Sequence, residues 1–177
     1  MDTKNNTKNI KIHIRSCISD MRLTDEQMLT EFDEVLTKSP KKPPFLMQDT
    51  EPVEEVVEYS TEGTLTINEK TVEITYQENA DLGMSGIKST LRFKKSLPTM
   101  VNLIRSGSAP TSLVFDKQFP RRNCMYSIGG MSFDFCICTN DVINTFSENG
   151  GKIVLDYEIE IHGMKTEHNV FTIEYKE

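Results

Sequence analysis

Glu78 and Arg105 are the side chains whose placement could do chemistry. Glu78 continues the alternation Val72, Ile74, Tyr76, so an unbroken strand would aim its carboxylate at an apolar face. Arg105 shares parity with Val101 and Leu103 and is expected to point inward too. A charge left unpaired on such a face costs several kcal/mol, so the two either pair or serve a ligand. In the ligand case Arg105 meets an anionic head group, bidentately if it is a carboxylate, and Tyr76, Tyr126 or Tyr157 donate hydrogen bonds to it. In the other case Glu78 and Arg105 form a structural bridge or reach solvent from strand ends. Sequence alone leaves both open.

Catalytic constellations are not expected. Ser85-Gly86, Ser106-Gly107-Ser108 and Ser127-Ile128-Gly129-Gly130 place serines beside glycines, but none forms a Gly-x-Ser-x-Gly elbow. Glu78 with Asp134 or Asp156 would give two carboxylates, yet both aspartates alternate against the apolar residues of their strands and should face water. No phosphate loop or dinucleotide fingerprint is present, and no cofactor is expected. Cys17, Cys124, Cys136 and Cys138 read as free thiols; Cys136-x-Cys138 shares one strand face without a second pair or a nearby His to complete a zinc set. His13 falls on an outer face between Ile12 and Ile14. His162 and His168 flank the final turn and could approach each other across it, which is a weak metal signal, so no metal is expected.

The elements that must position these residues are short alternating segments. Ile10 to Arg15 is the first, and the period returns at Val72-Ile74-Tyr76, Ile87-Ser89-Leu91-Phe93, Val101-Leu103, Leu113-Phe115, Met131-Phe133-Phe135-Ile137, Ile153 to Ile161 and Phe171-Ile173-Tyr175. Turn chemistry separates them at Asn68 to Lys70, Gly107 with Pro110, Asn149 to Gly151 and His162-Gly163, with Gly129-Gly130 suited to a two-residue hairpin. So many strands joined in order would curl and close to remove their edges. The expected fold is all-β: an antiparallel up-and-down barrel in a single domain over 1–177, with a two-sheet sandwich as the alternative.

One stretch, residues 21–52, breaks the pattern. Thr24 to Gln27 forms a capping box, and Met28, Leu29, Phe32, Val35 and Leu36 follow as the apolar stripe of a short amphipathic helix. Pro40 should stop it, and Lys38 to Pro44 continues as a basic, proline-rich tether. The stripe reads as a lid over one barrel end or as a surface for another chain.

The chain of 177 residues is 37% hydrophobic and 27% charged, with a formal net charge of −7 and a pI near 5.1. That balance argues against DNA and anionic membranes as partners. Lys88, Arg92, Lys94, Lys95 and Arg121-Arg122 could touch RNA but lack interleaved aromatics, so they read as a solvated outer face. The N-terminal residues hold no apolar signal region, and the expected location is cytoplasmic.

The second half of the chain resembles the YwiB-like family of uncharacterised bacterial proteins with a calycin-type, lipocalin-like barrel. The residues carrying the resemblance are Glu62-Gly63, Tyr76-Gln77-Glu78, Asp81-Leu82-Gly83, Arg105-Ser106-Gly107, Phe115, Tyr126, Gly130, Gly151, Leu155-Asp156-Tyr157 and Phe171 to Tyr175. They span about residues 56 to 176, and Ile10 to Ile18 fits the family's first strand. The resemblance implies a closed or nearly closed barrel and no assigned activity. This chain departs from the simplest family pattern in its 21–52 insertion, and with no Trp it lacks the Gly-x-Trp signature of true lipocalins. The expectation is a non-enzymatic barrel that binds a small apolar or amphipathic anion in its interior. The alternative is a filled barrel acting as a structural or regulatory module on another protein, with self-association left open.

Overall fold

The structure is a computed structural model that describes residues 6–20, 54–82, 84–107, 110–128 and 131–177. Ten strands close in chain order: β1 (Asn6–Asp20), β2 (Glu54–Ile67), β3 (Thr71–Gln77), β4 (Lys88–Lys94), β5 (Leu97–Ser106), β6 (Thr111–Asp116), β7 (Arg121–Ile128), β8 (Met131–Asn144), β9 (Gly150–Ile161) and β10 (Met164–Lys176). Each pairs antiparallel with its sequence neighbours, and β1 pairs with both β2 and β10, which closes the barrel. A short 3₁₀ turn, Ala80–Leu82, interrupts the β3–β4 connection. We call the end where β1 finishes and β2 begins the upper end.

The alternation read from sequence is the inside–outside alternation of the barrel. Ile10, Ile12 and Ile14 of β1 are buried, while Lys11 and Arg15 between and after them are exposed and His13 is partly so. Leu65, Ile74, Leu91, Phe115, Ile137, Ile153, Leu155 and Ile173 are among the fully buried side chains and fill the middle and lower barrel. Phe93 and Phe146 meet edge to face at 5.5 Å near the lower end. Asp116 organises the β6–β7 turn there, accepting hydrogen bonds from the amides of Gln118 (2.9 Å) and Phe119 (3.3 Å) and from Arg122 Nη2 (2.5 Å).

Two strands were not recognised as alternating segments in the sequence. In β2 the inward positions run Val57, Tyr59, Thr61, Gly63, Leu65 and Ile67, so Tyr59, Thr61 and Gly63 interrupt the aliphatic pattern. Gly63 is required there by crowding: a methyl group at that position would overlap Thr75 O and Ile12 Cδ1. β7 begins with Arg121 and Arg122 and shows no aliphatic alternation. Among the described residues its pairing with β6 consists of a single rung, Thr111 with Tyr126. Below that rung β8 takes over, with Thr139 N donating to Pro120 O (2.9 Å) and Asp116 N donating to Thr139 Oγ1 (3.3 Å).

The outer face is mostly polar, with Val56, Met125 and Ile143 among its exposed apolar side chains. Arg92 of the basic stripe is paired with Glu73 at 2.9 Å, whereas Lys88 and Lys94 stand exposed. Among the described residues no helix is long and apolar enough to cross a membrane. The expected helix with Met28, Leu29, Phe32, Val35 and Leu36, its tether, and the Gly129-Gly130 turn lie outside the described residues.

Candidate functional site

One transverse row of the barrel carries three of the residues singled out in the sequence. Tyr76 of β3 pairs with Ser89 of β4, Ser89 with Arg105 of β5, Arg105 with Thr111 of β6, and Thr111 with Tyr126 of β7. Residues paired across a sheet share a face and follow one another at about 4.8 Å. The row is on the inner face, because Tyr76 (2% exposed), Ser89 (0%) and Thr111 (8%) are buried. Tyr126 belongs to it by its backbone position.

Glu78 lies just past β3, where its amide donates to Ile87 O at 2.9 Å and extends the β3–β4 pairing. Its side chain turns into the upper barrel and is buried. There its carboxylate accepts from Tyr59 Oη at 2.6 Å and from Ser89 Oγ at 2.5 Å. Arg105 Nε stands 3.4 Å from Glu78 Oε1. That is close enough to balance charge, but alignment is poor and Nε is left without a hydrogen-bond partner. Two further buried atoms, Tyr76 Oη and Thr111 Oγ1, also lack a well-formed hydrogen bond.

The buried tyrosines are held in the neutral form. Burial first, then donation to the Glu78 carboxylate, raises the Tyr59 phenol above its ordinary range. Burial and the nearby Glu78 charge do the same for Tyr76. Tyr157, on the opposite wall, is pushed up to about 12 by burial, with Arg105 opposing and Glu167 adding to the rise. Its ring packs on Phe115 at 4.8 Å, and it pairs across β9–β10 with buried Asn169. The structure thus gathers Tyr76, Glu78, Arg105 and Tyr157 around one interior region.

Sequence reasoning missed Tyr59, Ser89 and Thr111. Tyr59 was hidden with β2, and the two hydroxyls carry no signal until register places them beside Arg105. The histidines stay on the outside. His13 Nδ1 meets Ser60 Oγ at 3.2 Å and His13 Nε2 meets Glu58 at 3.1 Å. His168 Nε2 lies 2.9 Å from Asp156 Oδ1 and pairs in register with Glu158, so it does not face His162 in the turn. All four cysteines are free. One group among the described residues could hold a metal ion, Cys136 and Cys138 with Glu160.

Comparison with known proteins gives the same architecture. Among solved structures the chain is similar to the crystal structure of the ywiB protein from Bacillus subtilis, at 18% identity and a TM-score of 0.66, over 96% of this chain and 92% of that one. At that identity the likeness speaks for the fold. No curated protein matches. The DUF1934 family, described as a domain of unknown function, matches residues 46–173, which run from before β2 into β10 and include the whole transverse row. The chain therefore belongs to the DUF1934 family of YwiB-like barrels.

Proposed function

We propose that the protein is a non-catalytic binding protein that takes a small amphipathic molecule at the upper end of the barrel, with an acceptor head group such as a carboxylate against Arg105. The observation that carries this reading is that three of the buried polar atoms lacking a well-formed hydrogen bond, Tyr76 Oη, Thr111 Oγ1 and Arg105 Nε, fall on a single row. A buried polar atom left unsatisfied costs about 1–3 kcal/mol, so such groups call for a partner. Glu78 already accepts from Tyr59 and Ser89 and pairs with Arg105, and the groups around it that a ligand would meet are hydroxyls and a guanidinium. These are groups suited to an acceptor, and the planar guanidinium suits a carboxylate. The filled lower barrel limits the ligand to a short tail. Binding is favoured over catalysis because Ser89 donates directly to a carboxylate with no imidazole between them, and the four unpaired cysteines fit a reducing, cytoplasmic setting.

The test is titration calorimetry with short straight-chain carboxylates and with alcohols of the same lengths. The carboxylate should bind more tightly, and Arg105→Leu should weaken it by about tenfold or more while leaving alcohol binding and the circular dichroism spectrum unchanged. Uniform binding of both series, or none at any chain length, would overturn the reading. In the latter case the solid lower core favours a second one, a filled barrel acting on another protein through its surface.

A further inference from the structure

On the outer wall two thiols and a carboxylate converge. Cys136 and Cys138 alternate outward on β8, and Glu160 of β9 stands directly opposite Cys136 in the register. The two sulfurs and a Glu160 carboxylate oxygen all lie within 4.8 Å of one another. Cys138 Sγ is 3.6 Å from Glu160 Oε2. The group is sheltered, with Cys136 5% exposed and the Glu160 side chain 12% exposed, at the wall of an open groove that His162 also lines.

Arg121 of β7 covers the group. Its Nε donates to Cys136 Sγ at 3.3 Å and its Nη2 donates to Glu160 Oε1. A sheltered carboxylate set against two thiols is a site that asks for positive charge; Arg121, 62% exposed, supplies it from the rim, and Lys165, the register partner of Glu160, is exposed and bonded to Glu158.

We infer that Cys136, Cys138 and Glu160 form a zinc site on the outer wall of the barrel. Two thiolates with one carboxylate and an open fourth position suit Zn²⁺, which takes sulfur, nitrogen and oxygen ligands in a tetrahedron; the hard carboxylate speaks against Cu⁺. Water or His162 would complete the four. Three negative ligands and a divalent ion leave one negative charge, which Arg121 balances while continuing to donate to the Cys136 sulfur as a positioning group. The site joins β8 to β9 and is independent of ligand binding inside the barrel.

Anaerobic titration of the full chain with Co²⁺, a coloured stand-in for Zn²⁺, tests this. One Co²⁺ per chain should bind with thiolate-to-cobalt charge-transfer absorption that Zn²⁺ bleaches. Cys138→Ser should abolish the absorption, Glu160→Gln should weaken binding by about 10–100-fold, and Cys17→Ser should change nothing. Cys136→Ser should match Cys138→Ser; if burial of Cys136 makes that variant unfold, the half-buried Cys138 decides the matter. Absence of charge-transfer absorption at saturating Co²⁺, or its survival in Cys138→Ser, would overturn the inference.

Discussion

Replacing Glu78 by Ala separates the groups that this carboxylate holds together. The substitution strips Tyr59 Oη and Ser89 Oγ of their acceptor and leaves Arg105 without its only ion-pair partner among the described residues. Each hydrogen bond to a charged group contributes about 1.5–3 kcal/mol, and breaking one side of a buried ion pair costs about 3–5 kcal/mol. Arg105 keeps 28% of its side chain exposed and can recover some hydration, so the lower part of that range applies. We expect Glu78→Ala to lower the unfolding free energy by about 3–4 kcal/mol. Arg105→Leu alone leaves Glu78 with two donors and should cost less, about 1–2 kcal/mol. The double variant Glu78→Ala/Arg105→Leu should be more stable than the sum of the single changes implies, with a coupling of about 1–3 kcal/mol. Urea unfolding followed by circular dichroism gives all the values, provided the slope is constant across the set. If Glu78→Ala costs under about 1 kcal/mol, or if the effects simply add, Glu78 is not the hub of a buried network and the reading of its carboxylate as already engaged fails with it.

Three further outcomes follow from the same packing. Tyr76→Phe removes a buried hydroxyl that lacks a well-formed hydrogen bond, so unliganded protein should gain up to about 1 kcal/mol while carboxylate affinity falls, a sign reversal that denaturation and calorimetry together would detect. Gly63→Ala forces a methyl into Thr75 O and Ile12 Cδ1 and should cost about 1–3 kcal/mol, read from the urea midpoint; an unchanged midpoint would mean that β2 shifts freely. Asp116 loses solvation on burial, but the Arg122 guanidinium and the Gln118 and Phe119 amides outweigh that and hold its carboxyl below the usual range. A carboxyl depressed in the fold adds stability that is complete above its unfolded value of about 3.9 and is lost as pH falls through the lower folded value. Asp116→Asn should therefore flatten the acid limb of the stability curve in that window, and an identical limb in both proteins would contradict the assignment.

The barrel was legible because eight of its strands bury aliphatic or aromatic residues at every second position, and the order of their turns allows little except a closing sheet. β2 escaped because its middle inward positions are Tyr59, Thr61 and Gly63, which suit a polar interior and a crowded wall instead of an aliphatic core. Glu78 and Arg105 stood out as parity violations, a signal that needs only one strand at a time. What joins them does not: Ser89, Thr111 and Tyr126 share their row only after five strands have been set in register. Glu160 is likewise remote from Cys136 in the chain and becomes its neighbour through β8–β9 pairing alone. Spacing within a segment reports orientation; a site spread around a barrel is written in the offsets between segments.

The closure of β1 on β10 has a consequence for biosynthesis. β1 ends at Asp20, and its partners between Glu167 and Lys176 form the last strand of the fold to be translated. At about 5–20 residues per second the nascent chain carries β1 with one unsatisfied edge for roughly 8–30 s before its mate leaves the ribosome. Pairing across such sequence separations is slow in its own right. During that interval an apolar-faced strand can recruit the corresponding edge of a neighbouring nascent chain as readily as its own. Soluble yield should thus respond to translation rate and to chaperone supply more than to the thermodynamic depth of the finished barrel.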